Sequence, residues 1–432
     1  MVSDNCITLI GTGMDHNLPG LAAHPGLAGA DIVIGSKPVL EALGTVPARK
    51  ITVRTPVADL LDEAAALLEQ GKRIAVLANG DPLFHSIGVS FMERFGADAC
   101  RVYPALSSLQ TAAAALRIPW HDIVTVSAHG RTGFLPLAHA AMRGAPVCLL
   151  TDSINTPGKA AHFLLTRGLT GFTARVAAKL GSEDVFLWQG ELTKAAGHTF
   201  PDPAVIFFLP DPALPAPRPL CPGQPEAAFA REGALITKWP VRAAALAALR
   251  IEPRHVVWDL GAGSGSVSIE AAALAHCGHV VAVEREETRA RHIEENRRRF
   301  GAANLDILHA AMPGCLEEGY AVPRTSVTDG SLQCGNALPG PDRIFLGGGL
   351  GGGAEEAARI IRLAWRRLLP GGRLVASCVL LEDLALARAA MSELDGAADV
   401  TLVQAATAAP LGSGTHLRGI NPVFLIAAQK SE

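Results

Sequence analysis

The sequence predicts an α/β protein built from two domains, and three observations carry this prediction. Its 432 residues suffice for two or three domains of ordinary size, about 100–200 residues each. Short β-branched runs alternate with helical stretches along both halves, a pattern typical of mostly parallel sheets. Aromatic residues make up only 5% of the chain, which disfavours an all-β barrel or sandwich.

A proline-rich stretch predicts where the chain divides. Nine of the 25 residues from 201 to 225 are proline. Proline fixes φ and donates no backbone hydrogen bond, so the part after Leu209 cannot be a helix or a central strand. We therefore expect a first domain of residues 1–209, a semi-extended linker of residues 210–222 and a second domain of residues 223–432. The polar, turn-rich stretch Val322–Pro341 is expected to be an inserted surface loop.

Apolar runs and helical periodicity place the elements of the first half. The predicted strands are Cys6–Ile10, Asp31–Ile34, Arg73–Ala78, Ile123–Val126, Pro146–Leu150, Arg175–Ala178 and Val205–Leu209. The predicted helices are Pro38–Leu43, Ala58–Gln70, Ile87–Phe95, Ser107–Leu116 and Thr156–Thr166. The second half starts with a helix near Val241–Leu249, alternates strand and helix from His255 to Leu369, and ends with strands near Arg373–Leu380 and Val423–Ala427.

Composition excludes several classes of protein. Apolar residues are 49% and charged residues 18% of the chain, which excludes intrinsic disorder. The net charge of −3 disfavours a sequence-independent nucleic-acid binder, which needs a basic surface. The eight cysteines form no Cys-x-x-Cys pair, so no metal site is predicted and the cysteines are expected to be reduced. We expect a cytoplasmic homo-oligomer that binds neither membrane nor nucleic acid.

The most informative segment is a glycine loop in the second half. The run Val256–Leu260 leads into Gly261, Gly263 and Gly265 and then into a helix. Such glycines let a ligand approach the backbone, with the helix N-terminus behind it. The next strand, His279–Val283, ends in Glu284, whose carboxylate can accept hydrogen bonds from both hydroxyls of a ribose.

Two nucleotide ligands compete for this loop. The third glycine of a dinucleotide fingerprint is replaced by Ser266, and Asp259 opens the loop. The charge of Asp259 would repel a pyrophosphate but suits a methionine ammonium and a nearby sulfonium. The pattern therefore favours S-adenosylmethionine (SAM) over NAD, and a tight turn without ligand remains the alternative. Ala311 and Met312 follow the third strand, where an adenine would lie.

Further segments of the second half carry a more specific pattern. They are Leu235–Lys238, Val241–Ala243, Trp258–Gly265, Ile269–Glu270, Glu284 and Phe345–Gly348. Together they resemble the decarboxylating precorrin methyltransferase domain of cobalamin biosynthesis, although Met312 stands where alanine is expected. The resemblance implies a Rossmann-like, SAM-dependent methyltransferase fold in which Thr237 contacts SAM. Because a precorrin carries many carboxylates, Lys238 is a candidate for a substrate-binding or acid role.

The first half shows turn motifs in a recognisable order. They are Gly11–Gly13, Ala78–Phe84 and Pro104–Ser108, each of which alone is typical of an ordinary turn. Their order resembles the tetrapyrrole methylase family, a two-lobed SAM fold, and Ser127–Arg131 and Leu150–Pro157 resemble its precorrin C5-methyltransferase branch. The resemblance implies that SAM contacts Thr12, Asp81, Phe84, Ser107 and Ser108. The basic side chains of His129 and Arg131 are candidates for binding substrate carboxylates.

The fusion of the two halves resembles the fused precorrin C5,15-methyltransferases (decarboxylating). It implies two SAM sites per chain and a precorrin (precorrin-6B/6Y) as substrate. The first half would methylate C5, and the second would methylate C15 and release CO2 from the C12 acetate, giving precorrin-8. Two alternatives stay open: a fused SAM enzyme acting on RNA or a small metabolite, and a first half that binds a tetrapyrrole without catalysis.

Overall fold

The computed structural model describes residues 7–14, 20–322, 337–348, 350–394 and 398–432. The chain divides into two compact units. The first takes in the described residues of Met1–Arg131, Pro146–Gly158 and Thr173–Leu209, and the second those of Thr132–Ala145, Lys159–Phe172 and Pro210–Glu432. The second unit thus includes two segments that precede the proline-rich stretch, and the predicted boundaries of two contiguous domains stay a prediction.

A parallel sheet of five strands opens the first unit. Its strands are β1 (Ile7–Gly11), β2 (Ile32–Gly35), β3 (Arg49–Thr52), β4 (Ile74–Ala78) and β5 (Cys100–Tyr103), in the order β3-β2-β4-β1-β5. The helices along this stretch are α1 (Lys37–Ala42), α2 (Val57–Glu69) and α3 (Ile87–Phe95). Helix α2 buries Leu60, Ala64 and Leu67 at helical spacing against the sheet. Since parallel strands end at the same edge, the residues that follow β1, β2 and β4 meet there.

A second sheet, of mixed direction, follows. Its strands are β6 (Val124–Ser127), β7 (Val147–Leu150), β8 (Phe172–Ala178), β9 (Phe186–Glu191) and β10 (Ala204–Pro210), in the order β6-β7-β10-β8-β9. The helices in this stretch are α4 (Ser108–Leu116), α5 (Leu135–Ala141), α6 (Pro157–Thr166) and α7 (Leu192–Ala196). Strands β6 and β7 are parallel, whereas β10 runs antiparallel to β7. The long connection between β5 and β6 holds α4, which begins with a capping box of Ser107 and Gln110.

A seven-stranded sheet forms the centre of the second unit. Its strands are β11 (Val256–Leu260), β12 (His279–Glu284), β13 (Leu305–His309), β14 (Arg343–Leu346), β15 (Arg373–Cys378), β16 (Ala398–Val403) and β19 (Val423–Gln429), in the order β13-β12-β11-β14-β15-β19-β16. A separate hairpin consists of β17 (Ala406–Leu411) and β18 (Gly414–Gly419). The helices are α8 (Trp239–Leu249), α9 (Ser266–Leu274), α10 (Glu287–Phe300), α11 (Ala354–Arg367) and α12 (Leu381–Ser392).

The strand order of this sheet determines where a ligand can bind. The first five strands in that order are parallel, and the chain moves outward from β11 in both directions. Alternate residues of the strands point to two apolar cores, one with α8, α9 and α10 and the other with α11 and α12. Ligands of such doubly wound sheets bind beyond the carboxyl ends of the strands, where the order reverses. The predicted α/β class is confirmed.

The predicted insertion at Val322–Pro341 needs a correction at its ends. Val322 and Leu338 are buried in the core beside α11 and cannot belong to a surface loop. Residues 323–336 lie outside the described part of the chain. No helix among the described residues is long and apolar enough to cross a lipid bilayer.

Candidate active sites

A cavity of about 1200 Å³ lies in the second unit beyond the carboxyl ends of β11, β12 and β14. Seven of the predicted site residues line it: Thr237, Lys238, Asp259, Gly261, Gly263, Glu284 and Met312. Gly265 and Ala311 are not on its wall, where Ala310 lies instead of Ala311. Most residues predicted to contact SAM in the second half therefore line one cavity, and the SAM contacts themselves stay a prediction.

Glycine is required in the loop after β11 for steric reasons. Gly261, Gly263 and Gly265 have φ values of 72°, 59° and 73°, a region that side chains disfavour. A Cβ at Gly261 would lie 3.1 Å from the backbone of Gly348, and one at Gly265 would lie 2.8 Å from the side chain of Ile293. The loop is thus packed tightly on two sides, and Gly263, which has no such neighbour, is the position where a ligand can approach.

Asp259 presents an unpaired carboxylate oxygen at this cavity. The residue is 1% exposed, and the hydroxyl of Ser268 donates to its Oδ2. Its Oδ1 has no hydrogen-bond partner among the described residues. Burial, with a smaller contribution from the charge of Glu284, raises the pKa of Asp259 to about 7. A cationic group placed at Oδ1 would supply the missing partner and favour the ionised form, which fits a methionine ammonium.

Glu284 is held rigidly on the wall of the same cavity. The backbone N–H of Gly263 donates to its Oε2 at 2.7 Å, and that of Glu286 donates to its Oε1 at 3.0 Å. The carboxylate is therefore fixed by one bond from each of two loops. Each oxygen keeps a second lone pair, so the group can still accept both hydroxyls of a ribose.

A smaller cavity of about 420 Å³ lies in the first unit and is lined by residues from both of its sheets. Of the predicted residues, Phe84, Ser108 and His129 line it, while Thr12, Asp81, Ser107 and Arg131 do not. The side chains of Thr12, Asp81 and Ser107 instead hold the surrounding loops in place. The hydroxyl of Thr12 donates to Ala78 O at 3.1 Å, Asp81 accepts the N–H groups of Leu83 and Ala105 at 2.8 and 3.3 Å, and Ser107 caps α4.

The side chain of Arg131 is exposed, but its charge affects a residue that lines the cavity of the first unit. Burial first, and the charge of Arg131 second, lower the pKa of His85, which lines this cavity. His85 also has a φ of 50°, an uncommon conformation for a residue with a side chain. His85 and His129 therefore line the cavity of the first unit, and the charge of Arg131 is close enough to act on His85.

Several cavity residues were missed by the sequence reasoning. Ser36 and Asn79 line the cavity of the first unit, and Ser377, His292 and Asn421 line the cavity of the second unit. The Ser36 hydroxyl is buried and has no partner among the described residues, so it is open to a ligand. Ser36 and Asn79 directly follow β2 and β4, and their position at strand ends is a signal that could have identified them. No cluster of three potential metal ligands occurs among the described residues.

Comparisons with known proteins match both halves of the chain. The model of the tetrapyrrole (corrin/porphyrin) methylases matches residues 6–196, and that of the precorrin methyltransferase domain matches residues 227–430. A precorrin-6Y C(5,15)-methyltransferase [decarboxylating] of Mycobacterium tuberculosis (strain CDC 1551 / Oshkosh) is 30% identical over 427 residues, which cover 96% of this chain and 98% of that protein. This chain belongs to the precorrin-6Y C(5,15)-methyltransferase family.

Two further similar proteins each match about half of this chain. The cobalt-precorrin-6B C(15)-methyltransferase (decarboxylating) of Salmonella typhimurium (strain LT2) is 36% identical over 202 residues, which cover 46% of this chain and 92% of that protein. A solved structure of a precorrin-6y C5,15-methyltransferase from Geobacter metallireducens GS-15 is 34% identical, with a TM-score of 0.42, and covers 49% of this chain and 100% of that chain.

Proposed function

We propose that the chain methylates precorrin-6B/6Y at C5 and C15 and removes the carboxylate of the C12 acetate, giving precorrin-8. Membership of the precorrin-6Y methyltransferase family supports the reaction. The observation that carries the proposal at the level of residues is the unpaired Oδ1 of Asp259 beside Glu284, on the wall of a cavity large enough for a nucleoside and part of a macrocycle.

In the second unit, the residues at the glycine loop would hold SAM. Asp259 would bind the methionine ammonium, Glu284 the ribose hydroxyls, and Met312 with Ala310 the adenine. Bound SAM supplies an electrophilic methyl group on a sulfonium. The protein's part is to align this group with the nucleophilic C15 and to exclude water, because a reduced meso carbon behaves as an enamine and a strong general base is optional.

Lys238 is proposed as the residue that contacts the substrate in the second unit. It lies on the cavity wall at the N-terminal end of α8, where an ammonium group can pair with a carboxylate of the precorrin. Loss of CO2 leaves electron density that the conjugated macrocycle can absorb. The decarboxylation therefore requires no metal ion at this site.

In the first unit, a second SAM is proposed for methylation at C5. Phe84, Ser108 and the unpaired hydroxyl of Ser36 offer one apolar and two polar contacts. His129 and Arg131 would hold carboxylates of the macrocycle near the mouth. Thr12, Asp81 and Ser107 would act by fixing the loops, since their side chains are occupied within the protein.

Calorimetric titration of the full-length chain with SAM tests the number of sites. The proposal predicts close to two equivalents. A single equivalent that disappears in a variant of the second-unit cavity would contradict catalysis in the first unit and favour a first unit that only binds the tetrapyrrole.

The cellular context is part of the same proposal. We propose a homo-oligomer in the cytoplasm that binds neither membrane nor nucleic acid. The described cysteines are all free thiols, which is compatible with a reducing compartment. Light scattering coupled to size exclusion would measure the oligomeric state.

A further inference from the structure

We infer that Arg242 is a positioning residue for the SAM site of the second unit. Paired with Glu270, it fixes residues 224–238, called here the strap, against the helix that follows the glycine loop. This inference rests on the proposed function, because the strap matters for catalysis only if the cavity that it lines binds SAM. The strap contributes Ile236, Thr237 and Lys238 to the wall of that cavity.

The Arg242 guanidinium attaches both ends of the strap to α9. The side chain is completely buried, and its Nε lies 2.7 Å from Glu270 Oε1. Its Nη1 donates to Thr237 O at 2.7 Å, and its Nη2 donates to Gln224 O. The backbone N–H of Gln224 in turn donates to Glu270 Oε1 at 2.9 Å. One buried ion pair therefore holds the first residue of the strap and the next-to-last one.

The middle of the strap is attached to the glycine loop by a different residue. The buried side chain of Asn296 accepts from Ala230 N at 2.7 Å and donates to Ala230 O at 2.9 Å and to Ser264 O at 2.8 Å. Between this point and Thr237, the strap is largely exposed, with Leu235 at 60%. The exposed part is thus suspended between Asn296 and Arg242, and its position depends on both.

Packing alone does not account for a charged pair at this place. Two buried charges cost several kcal/mol of desolvation each, and the apolar core around α8 and α9 could be filled by aliphatic residues instead. What the arginine adds is a planar group that binds a carboxylate and two carbonyl oxygens at once. Because Arg242 donates to the carbonyl oxygen of Thr237, the backbone there is fixed, and Thr237 and Lys238 keep their places in the wall of the cavity.

The control for any variant of Arg242 is the second buried arginine–carboxylate pair of the same unit. Arg167 lies completely buried against Asp306 and donates to Ala303 O at 2.9 Å and to Leu305 O at 2.6 Å. None of these four residues lines the cavity. Arg167→Met therefore removes a comparable buried ion pair without touching the strap.

The experiment uses the full-length chain and compares Arg242→Met, Arg242→Lys and Arg167→Met with the wild type. Hydrogen–deuterium exchange of residues 224–238 is followed as SAM is added, and the SAM KM and kcat are measured for methylation at C15. We expect both methionine variants to melt at lower temperature, but only Arg242→Met to exchange faster in the strap. Its SAM KM should rise roughly tenfold to a hundredfold with a smaller change in kcat, as expected for misplaced contacts, and Arg242→Lys should recover part of the loss.

Two contrary results are distinguishable. Equal strap exchange and equal SAM KM in Arg242→Met and Arg167→Met would overturn the positioning role and leave the proposed function intact. A wild-type chain that neither binds SAM at this cavity nor methylates C15 would overturn the proposed function together with the positioning role that rests on it. If Arg242→Met does not fold, Glu270→Gln replaces it. This substitution keeps the volume of the side chain and an acceptor for the backbone N–H of Gln224. It is expected to raise the SAM KM in the same direction, but by a smaller factor.

Discussion

Replacing Glu284 with glutamine separates cofactor binding from chemistry in the second unit. Glu284→Gln keeps the size of the side chain and removes the negative charge of the carboxylate that would accept hydrogen bonds from the ribose hydroxyls. Such charge-assisted hydrogen bonds contribute about 1.5–3 kcal/mol each. Since 1.4 kcal/mol corresponds to about a factor of ten, SAM affinity at this site should fall roughly tenfold to a hundredfold.

The structure adds a cost to stability. Both carboxylate oxygens of Glu284 accept backbone N–H groups, those of Gly263 and Glu286. A glutamine offers only one acceptor oxygen, so its NH2 group must face one of the two donors. An unsatisfied buried donor costs about 1–3 kcal/mol, and the melting temperature should fall accordingly. Glu286→Gln is the matched control, because this neighbouring side chain is exposed and does not line the cavity.

Product analysis at several SAM concentrations measures both effects. We expect methylation at C5 to persist in Glu284→Gln, methylation at C15 to weaken, and saturating SAM to recover most of the lost rate. SAM affinity equal to that of Glu286→Gln would make Glu284 a structural residue at a strand end. A loss of turnover that saturating SAM does not recover would place Glu284 against the substrate instead.

Three further predictions concern pH, the buried ion pair and the insertion. Because burial raises the pKa of Asp259 to about 7, the SAM affinity of the second unit should increase as the pH rises through that value. The stability of the protein without SAM should change in the opposite direction: the contribution of the protonated carboxyl is fully present below its ordinary pKa and is lost as the pH rises to about 7. Titrations of the wild type and of Asp259→Asn, which should show neither dependence, check both expectations. Arg167→Met should cost roughly 3–5 kcal/mol of unfolding free energy, whereas Arg291→Met, at an exposed pair, should cost less than about 1 kcal/mol; equal losses in chemical denaturation would contradict the burial argument. Arg167 and His279 together outweigh burial and hold the pKa of Asp306 well below its usual range. The stability that the ionised Asp306 contributes through this pair is therefore present above about pH 4 and is lost in stronger acid. Replacing residues 323–336 by a short Gly/Ser loop should change the melting temperature little, whereas a replacement that also removes Val322 and Leu338 should lower it clearly.

Local signals in the sequence predicted most of the fold and several of the residues that line the cavity of the second unit. Asp259, Gly261, Gly263 and Glu284 could be found because each lies at the end of a strongly apolar strand, where chain order alone indicates a ligand edge. Strand β3 was missed because only Ile51 of its four residues is buried, which leaves no alternation to detect. Helix α5 was missed because Pro136 and His139 interrupt its short apolar pattern.

What the sequence could not show depends on contacts between distant parts of the chain. Arg167 and Asp306 are 139 residues apart, and no local pattern links them. The same holds for Arg242 and Gln224, whose contact requires the strap to turn back on α8. Long-range pairs of this kind decide which segments share a compact unit, so the assignment of 132–145 and 159–172 to the second unit was beyond the reach of composition and periodicity.

Anaerobic incubation of the full-length chain with reduced precorrin-6 and methyl-labelled SAM tests the central claim most directly. Mass spectrometry of the product should find two labelled methyl groups gained and one carbon dioxide lost from the same macrocycle. Glu284→Gln at limiting SAM should yield mainly the product with one methyl group, at C5. Transfer of a single methyl group by the wild type, or two transfers without loss of carbon dioxide, would contradict the account of two methylating units and one decarboxylation in this chain.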